Sequence, residues 1–152
     1  MYKKMLVPLD TSGYAECVLD HVKEIATARG IPEVVLLSVV EPAYVPSGSF
    51  LHSQVVEKAD EEGAKQAEEY LEKTKQSIDL GSCHVSTVVK SGQAADEILD
   101  YIENNGVDVV VMSSHGRTGV SRWYLGSVAE KLMRTSPVPV FLVPSLVCRM
   151  KT

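Results

Sequence analysis

The 152-residue chain is poor in the features that tie a protein to a disulfide framework, a membrane or a nucleic acid. Its cysteines number three, Cys17, Cys83 and Cys148, far apart and without a Cys-x-x-Cys pair. A chain this long buries a core of its own, so an odd, scattered set is expected to be free thiols in a reducing compartment. No apolar stretch approaches the roughly 18 residues that span a bilayer, and the opening Met1-Tyr2-Lys3-Lys4 leads into an apolar run too short for a secretory signal. The cytoplasm is the expected location. Positive charge is short as well. Lys and Arg number 15 against 20 Asp and Glu, and a net charge of −5 argues against nucleic acid or anionic lipid as partner. With 45% hydrophobic and 23% charged residues, the composition is that of an ordinary globular protein. No linker, repeat or composition shift divides it, so a single domain over residues 1–152 is expected. Function is then sought in a small-molecule site or a partner surface.

Several catalytic motifs are missing too. There is no Gly-x-x-x-x-Gly-Lys-Ser/Thr loop, no Gly-x-Gly-x-x-Gly after the first strand and no Gly-x-Ser-x-Gly elbow. His21, His52 and His84 fall on different elements with no metal-ligand spacing. The third predicted strand ends Val89-Lys90-Ser91, which denies the acidic pocket of a phosphoacceptor domain.

What is present is an alternation of aliphatic runs and helical patterns. Strands are predicted at 5–9, 34–40, 84–89, 107–112 and 138–143, and helices at about 13–29, 53–78, 93–105 and from Gly126-Ser127 to near 134. Gly30-Ile31-Pro32 stops the first helix. Near-continuous apolar strands alternating with helices call for an α/β fold: an open parallel five-stranded sheet with helices on both faces. His84, Ser86 and Thr87 make the third strand polar and Pro139 interrupts the fifth, so these two belong at the edges. Right-handed crossovers then favour the order 3-2-1-4-5, with the winding reversing between strands 1 and 4. Ligands bind outside the carboxyl ends of strands at such a reversal. The residues to inspect are therefore Asp10-Thr11-Ser12 and the stretch that begins Ser113-Ser114-His115-Gly116.

That stretch runs on through Gly119 to Gly126-Ser127, where a helix opens. Glycines at 116 and 119 free the backbone to turn and expose N–H groups, and a helix N-terminus is a seat for phosphate. Arg117 and Arg122 bring positive charge. Each residue also has a plainer role. Ser127-x-x-Glu130 is a capping-box pattern, and Asp10 with Ser12 beside it fits a helix cap as well as an acceptor for an adenine amine or ribose hydroxyl. His115 is an ordinary loop histidine unless it meets a phosphate, and Trp123 and Tyr124 suit packing at the start of the last helix.

These residues resemble the universal stress protein family over nearly the whole chain. Leu6-Val7-Pro8-Leu9-Asp10-Thr11-Ser12 is similar to its first-strand signature, and Val111 to Val143 is similar to its last third. The family's ATP-binding branch carries Gly, two residues, Gly, nine residues, Gly, then Ser or Thr. Here Gly116, nine residues and Gly126-Ser127 match, and Ser113 replaces the first glycine. The resemblance implies that Pro8, Asp10 and the Val39 backbone frame adenine and ribose, with Ser113 and Gly116 at the ribose and α-phosphate. It implies further that Gly126, Ser127 and Val128 hold the β- and γ-phosphates through N–H groups, with Mg²⁺ or Mn²⁺ bridging the phosphates of ATP and no protein side chain as metal ligand. It also implies a homodimer through the fifth strand, 138–143, which suits an apolar edge.

Two functions follow. One is a regulatory module that binds ATP or AMP with little or no turnover, at most a slow ATPase, because no general base is positioned and no catalytic residue is named. It would report occupancy to a regulatory protein partner through loop 41–52 or the dimer face. The other is a nucleotide-free dimeric interaction protein of the stress response, favoured by Ser113 and opposed by Gly116, Gly126 and Ser127.

Overall fold

A computed structural model describes residues 1–12, 16–42, 52–114 and 126–144. In chain order the elements are β1 (Lys4–Pro8), α1 (Val18–Arg29), β2 (Glu33–Val40), α2 (His52–Ser77), β3 (His84–Ser91), α3 (Ala94–Asn104), β4 (Val109–Ser113), α4 (Ser127–Thr135) and β5 (Val140–Val143). Every strand pair is parallel, and the sheet order is β3-β2-β1-β4-β5, the order expected from the sequence.

The three central strands are aliphatic through their middles, Met5 to Val7, Val34 to Leu37 and Val109 to Val111, because both of their faces are covered there. Side chains alternate across the sheet. Met5, Val7, Leu9, Val34, Leu36, Val109 and Val111 pack with Val18, Val22 and Ala26 of α1 and Leu71 of α2. Leu6, Val35, Leu37, Val110 and Met112 pack on the opposite face with Ile98, Tyr101 and Ile102 of α3 and Ala129 and Leu132 of α4. A register slip of one residue would exchange the two sets, so this double burial pins the alignment of the strands. Truncating Leu6 or Leu132, both without solvent exposure, to alanine would cost about 2–5 kcal/mol.

The edges differ as their sequences do. No residue of β3 is fully buried, which tolerates His84, Ser86 and Thr87. β5 pairs only from Val140, because Pro139 has no N–H for the ladder; its carbonyl still accepts from Val110 N–H at 2.9 Å. The expected strand 138–143 is shorter for that reason. β1 closes at Pro8, although Leu9 N–H continues the pairing to Leu37 O at 2.8 Å. Gly30 ends α1 with φ 61°, its N–H turned back to the carbonyls of Ala26 and Thr27.

The cysteine expectation is corrected at one position. Cys83 is free, and burial pushes its thiol up, but Cys17 is disulfide-bonded. Spacing along the chain misleads here because folding, not sequence distance, sets which thiols meet. Cys148 lies outside the described residues. Among the described residues no helix is long and apolar enough to cross a membrane.

Candidate functional site

Between β1 and β4 the winding of the sheet reverses, so the connections leaving these strands part and leave a crevice at their carboxyl ends. A cavity of about 790 Å³ opens there. It is walled by the ends of β1, β2 and β4, by the start of α4 and by one face of α2. Pro8, Asp10, Val39, Ser113, Gly126, Ser127 and Val128 all line it. Gly116 lies outside the described residues, as do His115, Arg117, Gly119, Arg122, Trp123 and Tyr124.

Asp10 follows β1, and its Oδ1 accepts hydrogen bonds from the backbone N–H (3.0 Å) and the hydroxyl of Ser12. Thr11 between them is left-handed at φ 66°, a conformation that costs a β-branched residue energy and is found where surrounding contacts enforce it. The carboxylate therefore closes a tight turn at the mouth of the crevice. The next described helix, α1, opens at Val18 with Cys17 as its N-cap, and residues 13–15 between lie outside the described residues.

The opposite wall is made of backbone. Ser113, 8% exposed, ends β4. Ser114 N–H donates to Val143 O, and Ser114 O accepts from Gly126 N–H, each at 2.9 Å. The chain thus leaves the sheet at Ser114 and returns to the same residue before α4 begins. Gly126 is the N-cap of α4 and has no side chain to offer; no side-chain cap bond forms. Ser127 is the first helical residue, so the Ser127–Glu130 capping-box reading is corrected: a box needs its serine at the N-cap, one position earlier. The first intrahelical bond runs from Glu130 N–H to Gly126 O at 2.8 Å. Helix geometry leaves the N–H groups of Ser127, Val128 and Ala129 without an intrahelical acceptor, at the positive end of the helix dipole and on the crevice wall. This wall has the donors and the shape to hold an anion.

The α2 wall was not foreseen as part of a site. Ala59, Asp60, Gly63, Gln66, Ala67 and Tyr70 line the cavity. In the sequence, Ala59, Ala67 and Tyr70 read as core stripe, yet only Ala67 is fully buried. The available signal was the recurrence of small residues every fourth position, Ala59, Gly63 and Ala67, which clears one helix face. The Tyr70 hydroxyl is buried without a hydrogen-bond partner. Burial first, then the nearby Glu16 carboxylate and more weakly Asp10, hold its ionisation far above the ordinary range of a phenol.

Charge divides the crevice. Asp10, Glu41 and Asp60 line the β1–β2–α2 side, and no described residue of the wall is a Lys, Arg or His. Among the described residues no group of three or more His, Cys, Asp or Glu side chains is arranged to hold a metal ion.

Comparison with known proteins agrees with this architecture. The family model described as universal stress protein family matches residues 1–144. Universal stress protein MJ0577 of Methanocaldococcus jannaschii is 33% identical over 155 residues, 94% of this chain and 95% of the relative. The solved structure of MJ0577 superposes with a TM-score of 0.76 at 34% identity, over 95% of this chain and 96% of that one. Universal stress protein UspA from Lactobacillus plantarum superposes with a TM-score of 0.82 at 20% identity, over 93% and 97% of the two chains. Two more distant structures share the fold. One is a universal stress protein in complex with cAMP, with a TM-score of 0.69 at 20% identity over 93% and 97% of the chains. The other is a universal stress protein family protein from Arabidopsis thaliana with AMP bound, with a TM-score of 0.61 at 16% identity over 93% and 91%.

Proposed function

The chain belongs to the universal stress protein family, and from that premise we propose that it is a single-domain, adenine-nucleotide-binding regulatory module of the stress response. The observation that carries the reading is convergence. Seven of the eight candidate residues line one cavity, and three helix-terminal N–H groups stand open on its wall. Relatives of the same fold that hold AMP and cAMP support the ligand class. Pro8, Asp10 and Val39 would frame the base and ribose, Asp10 accepting a hydrogen bond. Ser113 and Gly116 would lie at the ribose and α-phosphate. Gly126, Ser127 and Val128 would receive the β- and γ-phosphates through backbone N–H groups, the Ser127 hydroxyl adding a donor.

The ligand is ATP or AMP, and with ATP an accompanying Mg²⁺ or Mn²⁺ is held through the phosphates. The metal supplies charge neutralisation, and the protein supplies the cradle. Binding rather than turnover is the function, since none of the described side chains at the phosphate end is a base; those present are serine hydroxyls. Assembly is proposed as a homodimer in the cytoplasm through β5, whose Phe141 is 43% exposed on an edge that no described strand pairs. A regulatory protein partner would read its occupancy.

A second reading, a nucleotide-free dimeric interaction protein, rests on Ser113. A serine Cβ crowds a place where the family's ATP-binding branch has none. The two readings part in a simple experiment. Purified protein is denatured, and the released small molecules are separated and measured at 260 nm. Stoichiometric adenine nucleotide supports the module. Its absence, together with no rise in Tm on adding ATP and Mg²⁺, supports the interaction protein.

A further inference from the structure

The helix α2 changes character along its length. Among its described side chains the buried ones are Ala67, Leu71 and Thr74, all in the second half. Leu71 belongs to the core cluster of Met5, Val7 and Leu36, and Tyr70 packs against the same cluster. Over residues 54–62 nothing is buried: only Val56 and Asp60 are partly covered, and even Val55 is 66% exposed. The two stretches meet at Gly63. There the helix is in packing contact with the end of β2, since a Cβ on Gly63 would lie 3.1 Å from Val40 Cγ1. Support from the sheet thus begins at the residue that holds a helical backbone less firmly than any other except proline.

About three helical turns with no tertiary burial are marginal in water. Joined to an anchored helix, such a stretch is spared nucleation, but it opens as a fraying end does, with little packing to resist. It still borders the crevice. Ala59 and Asp60 line the cavity on the same helix face as Gly63, Gln66, Ala67 and Tyr70, and only the helical form brings them to that wall. A ligand in the crevice therefore meets these two residues in the closed arm and not in the open one, and a contact made in one state alone shifts the balance towards it. We infer that residues 52–62 are an arm of α2, jointed at Gly63, which a ligand in the crevice holds closed, so that occupancy is displayed on the arm's outer face. This rests on the nucleotide reading above and adds the element by which occupancy reaches the surface. That face carries exposed Glu57, Lys58, Glu61 and Glu62.

The test is amide hydrogen exchange of the full chain, read by mass spectrometry with and without saturating ATP and Mg²⁺, with uptake of ATP followed on the same sample by calorimetry. In the free protein the amides of 56–62 are expected to exchange at least about a hundredfold faster than those of 69–75. ATP should slow the arm by about tenfold. Glu61→Gly, an exposed change that weakens the arm's helix without touching the cavity, should weaken ATP by about threefold to fivefold and leave the unliganded Tm within about 2 °C. Three results overturn the inference: an arm as slow to exchange as 69–75 in the free protein, an arm whose exchange bound ATP does not change, or Glu61→Gly with wild-type affinity. A large fall in the Tm of Glu61→Gly also overturns it, because the arm would then be part of the cooperative fold. Wild type that takes up no ATP overturns the nucleotide reading itself, and this inference with it.

Discussion

The two walls of the crevice are built of different material. The β4–α4 wall is backbone and small residues: the Ser114 carbonyl that receives Gly126 N–H, then the open N–H groups that begin α4. The β1–β2–α2 wall is side chains: the Asp10 carboxylate locked in its turn, Glu41 and Asp60, and the Tyr70 ring with its buried hydroxyl. A backbone wall has nothing to delete, so added bulk breaks it. A side-chain wall fails when its groups are removed. For a ligand with a phosphate end and a base-and-ribose end, the arrangement is an orientation device: donors face charge, and carboxylates face hydroxyls and amines.

Gly126→Val probes the backbone wall most severely. Gly126 has φ −59° and ψ 148°, angles open to any residue, so the backbone permits the change and the isopropyl group is expected to fill the phosphate seat. Calorimetry should find ATP affinity lowered by about a hundredfold or more, with Tm shifted by only a few degrees. Wild-type affinity in this variant would sink the site assignment.

Asp10→Ala tests the opposite wall by deletion. Loss of a charged acceptor should cost about 1.5–3 kcal/mol of binding, at least tenfold, and the lost bonds to Ser12 should also lower stability. Asp10→Asn, which keeps an acceptor oxygen for the turn, should recover most of the Tm and less of the affinity. Equal loss of AMP and ATP binding would confirm that this wall reads the nucleoside.

Ser127→Ala should be milder. Ser127 makes no cap bond, so melting should move by less than about 1 °C, while ATP binding weakens about tenfold for one hydrogen bond to a charged phosphate. AMP, which cannot reach the β/γ seat, should be unaffected. Ser113→Gly should tighten ATP by about twofold to threefold if the serine Cβ crowds the ribose, at a cost of about 0.5–1 kcal/mol in stability.

The smallest effect is expected at Tyr70. Its phenol has a folded pKa above the ordinary value, so the neutral form is favoured by the fold. That contribution is complete below about pH 10, the ordinary phenol pKa. It is lost as pH rises further and the unfolded chain ionises first. Tyr70→Phe should leave stability at pH 7 level or slightly raised, since it removes an unpartnered buried hydroxyl. It should also flatten the alkaline limb of a pH–stability curve, which chemical denaturation at several pH values would show.

Much of the sheet was legible because burial writes itself directly into residue type. Strands covered on both faces must be aliphatic, as Met5 to Val7 and Val34 to Leu37 are, and the polar or proline-bearing runs at His84 and Pro139 have nowhere to go but the edges. The reversal between β1 and β4 then located the crevice, and the Gly126-Ser127 pattern located its backbone wall. The α2 wall was hidden because Gly63 and Ala59 stand in a polar helix, where a small residue looks like a matter of propensity. The approach of Gly63 to Val40, and the shared lining of one cavity, exist only in three dimensions. The role of Asp10 was ambiguous for a related reason: turn and helix cap use the same Asp-x-Ser pattern, and only the structure shows the turn, through the bonds to Ser12 around a left-handed Thr11. The disulfide at Cys17 left no trace in cysteine spacing.

The central claim is that the crevice binds adenine nucleotide with its phosphates at the start of α4. It is tested most directly by calorimetric titration of nucleotide-stripped protein with ATP and Mg²⁺, with AMP as the comparison. Micromolar binding, tighter for ATP than for AMP, is the predicted result. No heat at high protein concentration and no change in Tm would contradict it, and would mark Ser113 as the sign of a chain that works through its surfaces alone.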